Sequence, residues 1–210
     1  QYIYNFSDKT SIEGGFRLDY NNIYKVYPLP HVAVRQKWND IFTTRLNVGM
    51  GYKLPTIFQD ESEEARFIGV QPIAVSVKPE LSLGGTIDLK VKLPNFNGLN
   101  VTINQLYFLT HIFRPLLAQT YTDSTCLNCQ QIRYTNANGY EQSGGVESGI
   151  QLSYRGIALS LIYVLTDNNL MVDNVRSIAP LTSKHIVSIF AGYEIKNFSI
   201  GLDAYYYSPL

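Results

Sequence analysis

KPELSLGGTIDLKVKLPNFNGLNVTINQLYF, Lys78 to Phe108, carries the clearest structural signal in the chain. Its first arm alternates. Glu80, Ser82, Gly84, Thr86, Asp88, Lys90 and Lys92 take one side, while Leu81, Leu83, Ile87, Leu89, Val91 and Leu93 take the other. A period of two over that length is a β-strand with one polar and one apolar face. Pro94-Asn95-Phe96-Asn97-Gly98 then makes a tight turn from residues that tolerate unusual φ/ψ, and a second long strand follows. Each arm exceeds the roughly 5–6 residues usual in a soluble sheet. By itself such a hairpin suits a sandwich, a lipocalin-like barrel or a membrane barrel.

The totals narrow the choice. The 210 residues hold 17 basic and 17 acidic side chains, so no global field points to nucleic acid or to an anionic membrane surface. Sixteen Tyr and ten Phe are many, and rings with a polar tip suit a boundary between apolar and wet surroundings. No apolar run approaches the roughly 18 residues of a transmembrane helix. Gln1 begins directly in a strand-like pattern and Leu210 stops just after another. The whole chain, residues 1–210, therefore reads as one partial β-barrel domain.

Outward from the hairpin, the same alternation recurs. On Ser11–Tyr20, Ile12, Phe16, Leu18 and Tyr20 oppose Glu13, Arg17 and Asp19; on Phe42–Lys53, Leu46, Val48, Met50 and Tyr52 oppose Arg45, Asn47 and Lys53. Tyr2–Ser7, His31–Lys37, Tyr140–Tyr154, Ile157–Thr166, His185–Ile195 and Phe198–Tyr207 complete about ten strands. Connections alternate in length. They are short at Asp8, Asn39, Phe96, Arg155 and Asn197, and long around Ile23, Asp60, Thr122 and Met171. Up-and-down outer-membrane barrels do this, whereas sandwiches mix loop lengths. The polar faces also carry full charges, which a packed soluble core does not tolerate. Tyr20, Tyr52, Tyr154, Tyr193 and Tyr206 stand near strand ends, where interfacial girdles form. The expected fold is all-β: an antiparallel up-and-down transmembrane barrel segment.

Several stretches resemble the C-terminal half of the barrel of TonB-dependent outer-membrane receptors. GGFRLDY (Gly14–Tyr20) is similar to the family's G-x-R-x-D strand, and RLNVGMGYKLPTIFQDE (Arg45–Glu61) to its strand ending in P-T. VKPELS (Val77–Ser82) resembles l-k-P-E-x-s, NQLYFLTHI (Asn104–Ile112) the strand after it, and YTNANGYEQSGGVESGIQLSY (Tyr134–Tyr154) the segment ending in G-v-E. Together they cover most of the chain in family order, with a likeness to receptors of the Bacteroidota. Gly84-Gly85 departs from the pattern, because many members keep a Glu before the Gly. The resemblance implies a barrel of about 22 strands, with somewhat under half present here. The plug domain, the TonB-box peptide and the last strands are not evident.

Candidate chemistry is sparse. Cys126 and Cys129 form a CxxC in the Thr122–Gln130 loop. One reading is a metal clip or redox pair; the other, preferred here, is a local disulfide stapling an outer loop in an oxidising compartment. A single CxxC does not complete a four-ligand zinc site. His31, His111 and His185 are scattered over three strands without His–carboxylate spacing, so no enzyme is expected. The acidic run Asp60–Glu64 reads as a solvated loop, and Gly84-Gly85 and Gly144-Gly145 as bulges or close backbone approaches. Arg17, Arg45, Asp88, Lys90 and Glu147 are the candidate lumen-facing residues, placed to contact a plug or to line a substrate path.

The expected function is outer-membrane uptake of a scarce nutrient: an iron chelate, haem, cobalamin or glycan. The resemblance implies as partners the lipid bilayer, a plug domain of the same polypeptide and a TonB-type energy-coupling protein, with no cofactor. The rival is a non-transporting barrel acting as scaffold or adhesin in a larger surface complex. For the cysteines, alkylation of the denatured, unreduced protein followed by mass spectrometry should leave Cys126 and Cys129 unmodified. Two alkylated thiols would reject the disulfide, and stoichiometric bound metal would restore the ligand reading.

Overall fold

A computed structural model describes residues 2–58, 69–122, 130–178 and 183–209. Cys126, Cys129 and the acidic run at 60–64 lie outside the described residues. The strands are β1 (Tyr2–Asn5), β2 (Thr10–Asn21), β3 (Lys25–Lys37), β4 (Phe42–Lys53), β5 (Glu80–Lys92), β6 (Asn100–Phe113), β7 (Leu116–Thr122), β8 (Gln130–Asn136), β9 (Gly139–Tyr154), β10 (Ile157–Val172), β11 (Val175–Ile178), β12 (His185–Ile195) and β13 (Phe198–Tyr207). They form one antiparallel sheet in the order β1-β2-β3-β4-β5-β6-β9-β10-β12-β13, with β11 beside β10 and β7-β8 set apart as a second, two-stranded sheet.

Register shows why one face is continuous. Cα partners across an antiparallel ladder share a face, and here Ile12 meets Val34, then Leu46, Ile87, Tyr107, Val146 and Leu165 in a single row. These are the residues that the period of two assigns to the apolar side. The face they make is uncovered: Phe16 is 66% exposed, Ile200 60% and Leu202 70%. Among the described residues the buried apolar side chains are few: Val77, Tyr134 and Ala137, with Pro79 and Pro115. A sheet that leaves so much apolar surface outside cannot be a water-soluble sandwich, because burial of that surface is what drives folding in water.

The short connections are built from side chains that satisfy their own backbone. Ser7 Oγ accepts from the amides of Lys9 (3.2 Å) and Thr10 (3.0 Å). Asn39 Oδ1 accepts from Ile41 (2.9 Å) and Phe42 (2.7 Å), and Asn95 Oδ1 from Gly98 (3.0 Å). Arg155 (φ 45) and Gly156 (φ 85) give the two-residue loop the pair of positive φ angles that matches strand twist.

Three expected loops turn out to be strand. The long connection around Ile23 is a tight turn in which Asn21 Oδ1 accepts from Ile23 (2.9 Å) and Tyr24 (3.1 Å), so β2 and β3 pair along their full length. Pro28 and Pro30 are tolerated within β3 because its pairing with β4 starts only at His31, leaving that side of the strand without a ladder. The irregular region after Arg114 contains the β7–β8 hairpin, and β10 continues through Asp167 to Val172 before turning at Asp173 and Asn174, both with positive φ, into β11. Neither glycine pair is a bulge, since both lie in unbroken ladders. The other expectation, close backbone approach, holds at Gly145, where a Cβ would run into the Leu165 carbonyl oxygen and come within 2.6 Å of the Phe108 ring.

As expected, the first and last strands each pair inward, β1 with β2 and β13 with β12, and among the described residues they do not pair with one another. The alternation on β5 generates a direct test. Ile87→Arg places a charge on the apolar face, which at mid-membrane costs about 2–4 kcal/mol, and should impair folding and insertion assayed by heat-modifiable gel mobility. Asp88→Leu should insert normally; the opposite outcome would reverse the faces.

Candidate functional site

The polar face is the first candidate. Arg45 of β4 lies opposite Asp88 of β5, which meets Leu106 of β6 and then Glu147 of β9, so three of the expected site residues share one row. Lys90 stands one row nearer the short turns, opposite Thr43. Arg17 is displaced toward the other end of β2, opposite Leu29. It does not join the row, and instead forms an ion pair with Asp19 at 2.5 Å. Despite their register, Arg45 and Asp88 make no ion pair among the described residues.

Next to Arg17 an aromatic pair departs from the expected faces. Alternation places Tyr52 on the apolar side and in an interfacial girdle. Its ring instead stacks on Tyr27, centroids 4.3 Å apart and 3° from parallel, and its hydroxyl donates to Asp19 Oδ2 at 3.1 Å. The cause is the parting of β3 from β4 beyond the His31–Gly49 pair, after which register no longer holds the two strands to common faces.

The second candidate is the junction at the long-loop end. Here lie Val77 (4% exposed), Tyr134 (2%) and Ala137 (8%), together with fully buried Pro115. Asn136, at the end of β8, reaches across a separation of 58 residues to the segment before β5. Its Oδ1 accepts from the Lys78 amide at 2.7 Å, and its Nδ2 donates to the Lys78 carbonyl at 2.8 Å and to the Arg114 carbonyl at 3.1 Å. The amide side chain thus stands in for a strand partner. A parallel bridge between Val70 and Ile132, with Gln71 N donating to Ile132 O at 2.9 Å, ties the same loop to the middle of β8. Glu80 Oε1 accepts from the Leu116 amide at 2.6 Å, anchoring β7 to β5. A membrane-crossing strand takes about 9–11 residues, so on β9, counted from the Arg155 turn, Glu141 stands beyond the span. Burial pushes the Glu141 carboxyl above its ordinary range, and repulsion from Glu80 adds to this.

The three histidines stay apart. His31 sits on the polar face between Gly15 and Gly49, His111 packs against Phe113 and Tyr140, and His185 Nδ1 is 2.8 Å from the Tyr163 hydroxyl. Among the described residues no cluster of three His, Cys, Asp or Glu side chains is arranged to hold a metal.

Residues 1–209 match the family model described as TonB dependent receptor-like, beta-barrel. The chain belongs to this family. It is therefore part of an outer-membrane barrel, in a family of receptors rather than enzymes. Solved structures agree on the fold. The siderophore receptor PirA from Acinetobacter baumannii superposes with a TM-score of 0.72 at 16% identity, covering 98% of this chain and 32% of that one. The hemophore receptor HasR of Serratia marcescens, solved with its hemophore HasA and heme, gives 0.72 at 12% identity over 96% of this chain and 42% of the other. The FrpB iron transporter from Neisseria meningitidis gives 0.67 at 17% identity, with 98% and 31% coverage. The receptor barrel described here thus spans between 31% and 42% of the length of these proteins. No curated protein matches the sequence.

Sequence reasoning did not single out Asn136, although it lies in the quoted TNANG segment. An Asn beside a Gly reads locally as a turn residue, and a partner 58 positions away leaves no local trace. Asn136→Ala should loosen the junction, since a hydrogen bond to partners that water can reach contributes about 0.5–1.5 kcal/mol net. Hydrogen exchange at the Lys78 amide should speed up in Asn136→Ala, and also in Asn136→Asp, which loses the Nδ2 donor and sets a carboxylate against the Lys78 and Arg114 carbonyls. Exchange as slow as in the unaltered protein in both variants would show that the side chain does not hold the segment.

Proposed function

We propose that this chain forms part of the wall and outer mouth of a transporter of Bacteroidota type, one that takes up a scarce nutrient: an iron chelate, haem, cobalamin or glycan. The reading rests on one observation above the others, the match of residues 1–209 to the receptor barrel family, whose fold is shared by a siderophore receptor, an iron transporter and a hemophore receptor. Arg17, Arg45, Asp88, Lys90 and Glu147 face the lumen, and the apolar rows face lipid. A plug domain of the same polypeptide fills the lumen, further strands close the barrel, and a TonB-type protein supplies energy through the part of the receptor beyond these residues. The Asn136 junction holds the connections on either side of it as one unit at the outer mouth, while a disulfide between Cys126 and Cys129, which lie in the sequence between β7 and β8, staples an outer loop.

A charged lumen supports this reading physically. Unpaired charges facing a water-filled or protein-filled lumen keep their hydration or find partners, whereas hydrocarbon offers neither. The test is uptake by cells that express the full-length receptor, with labelled ferric siderophores, haem, cobalamin and oligosaccharides as probes. One class should accumulate, only when the coupling protein is present, and replacement of residues 114–138 by a short turn should abolish uptake without preventing insertion. A receptor that inserts and reaches the surface but takes up none of the probes, with or without coupling protein, would favour the scaffold or adhesin.

A further inference from the structure

The apolar face changes character along its height. On β10 it runs through Leu159, Leu161, Tyr163 and Leu165, and then through Asp167 and Asn169. A crossing strand takes about 9–11 residues. Asp167 is the eleventh residue of β10 from its short turn and Asn169 the thirteenth, so the change falls where hydrocarbon gives way to headgroups.

Two concavities lie on this face, one on each side of that boundary. The lower is an apolar groove of about 380 Å³, walled by Leu46, Val48, Leu83, Ile87, Leu109 and His111. Gly85 floors it between Val48 and Leu109, its partners in register, and is the eighth residue of β5 from the Lys92 end, within the span. The upper is a recess of about 270 Å³ lined by Tyr140, Gln142, Asp167, Asn169, Met171 and Arg176. Arg176 Nε donates to Asn169 Oδ1 at 2.7 Å, and Asn169 Nδ2 donates to Asp167 Oδ2 at 2.9 Å. His111 links the two concavities. It walls the groove, stands opposite Gln142 in the ladder, and packs its ring on Tyr140 with centroids 4.7 Å apart.

We propose that this wall holds one glycolipid of the outer leaflet, with an acyl chain in the Gly85 groove and a headgroup sugar in the Arg176 recess. The chemistry of each concavity selects its half of the ligand. A sugar hydroxyl both donates and accepts, which suits a recess built from a guanidinium, two carboxamides and a carboxylate beside an aromatic ring. A phosphate only accepts, and Asp167 would stand against it. The groove opens to hydrocarbon, where a free saccharide has nothing to place. From β5 to β10 is three strand spacings, about 15 Å, within the reach of an acylated disaccharide. The inference rests on the lipid-facing orientation proposed above, and it adds a bound lipid and the residues that select it.

The experiment uses the full-length receptor, stripped of lipid by detergent exchange and titrated in native mass spectrometry. The probes are lipid A (an acylated glucosamine disaccharide), its dephosphorylated form, phosphatidylethanolamine and the free disaccharide. One lipid A should bind per receptor at least tenfold more tightly than phosphatidylethanolamine. The dephosphorylated form should match it, and the free disaccharide should not bind at the same concentrations. Val48→Trp, which fills the groove, and Arg176→Gln should each weaken lipid A binding at least fivefold. Heat-modifiable mobility is the folding control, and the exposed Arg176 keeps the test valid if Val48→Trp does not fold. Unchanged binding in both variants, or no preference over phosphatidylethanolamine, would overturn the site. Loss of binding on dephosphorylation would make it an anion site and overturn sugar recognition; disaccharide binding as tight as lipid A would overturn the groove. A Leu83→Cys receptor separates this failure from that of the orientation. Labelling of its thiol by a water-soluble maleimide in intact cells would overturn the orientation and the site together, whereas a shielded thiol without lipid preference would reject the site alone.

Discussion

A backbone amide or carbonyl in hydrocarbon has no water to bind, so every one inside the membrane needs a partner in the protein. The whole wall follows from this. Ten strands run in a continuous ladder from β1 to β13, and the side chains are left only to sort by face. Where the ladder lapses, it does so at the strand ends, as between β3 and β4 beyond His31. The two prolines of β3 and the stacked Tyr27–Tyr52 pair gather there, because only a relaxed ladder tolerates them.

The wall was legible in the sequence because its information is local. Alternation at Glu80–Lys92 assigns faces residue by residue, and Asn or Ser at the turns announces where strands reverse. Both signals depend on neighbours within four positions. The outer end was not legible for the complementary reason. The β7–β8 hairpin and the extension of β10 toward Val172 carry polar residues such as Gln119, Asp167, Asn168 and Asn169 on strands that stand clear of lipid. Without an apolar face to mark them, their strand character has no periodic signature, and they resemble loop. The polar-face charges were legible as types and not as a constellation: alternation names Arg45 and Asp88, but register alone shows that Arg35 stands beside the first of them.

The two ends of the barrel solve different problems. At the short-turn end the connections close on themselves, those at Ser7, Asn39 and Asn95 through one side-chain oxygen and that at Arg155–Gly156 through two positive φ angles, and nothing larger is built. At the other end, buried side chains, an amide clip and a parallel bridge join connections that are distant in sequence. Packing of this kind belongs to water-soluble domains, and it is confined here to the part of the chain that water surrounds. The same chain thus obeys two solvents, with apolar residues outward in one and inward in the other.

The Asn136 clip also dictates an order of assembly. Along the wall most ladders join strands that follow one another directly, so loop closure is inexpensive and the sheet can extend strand by strand. The contact from Asn136 to Lys78 spans 58 residues, and between them lie β5, β6, β7 and most of β8. It cannot form until those strands are in register and the hairpin has folded back over β5. The mouth of the barrel is therefore completed last, by contacts of the longest sequence separation, which are the slowest to form.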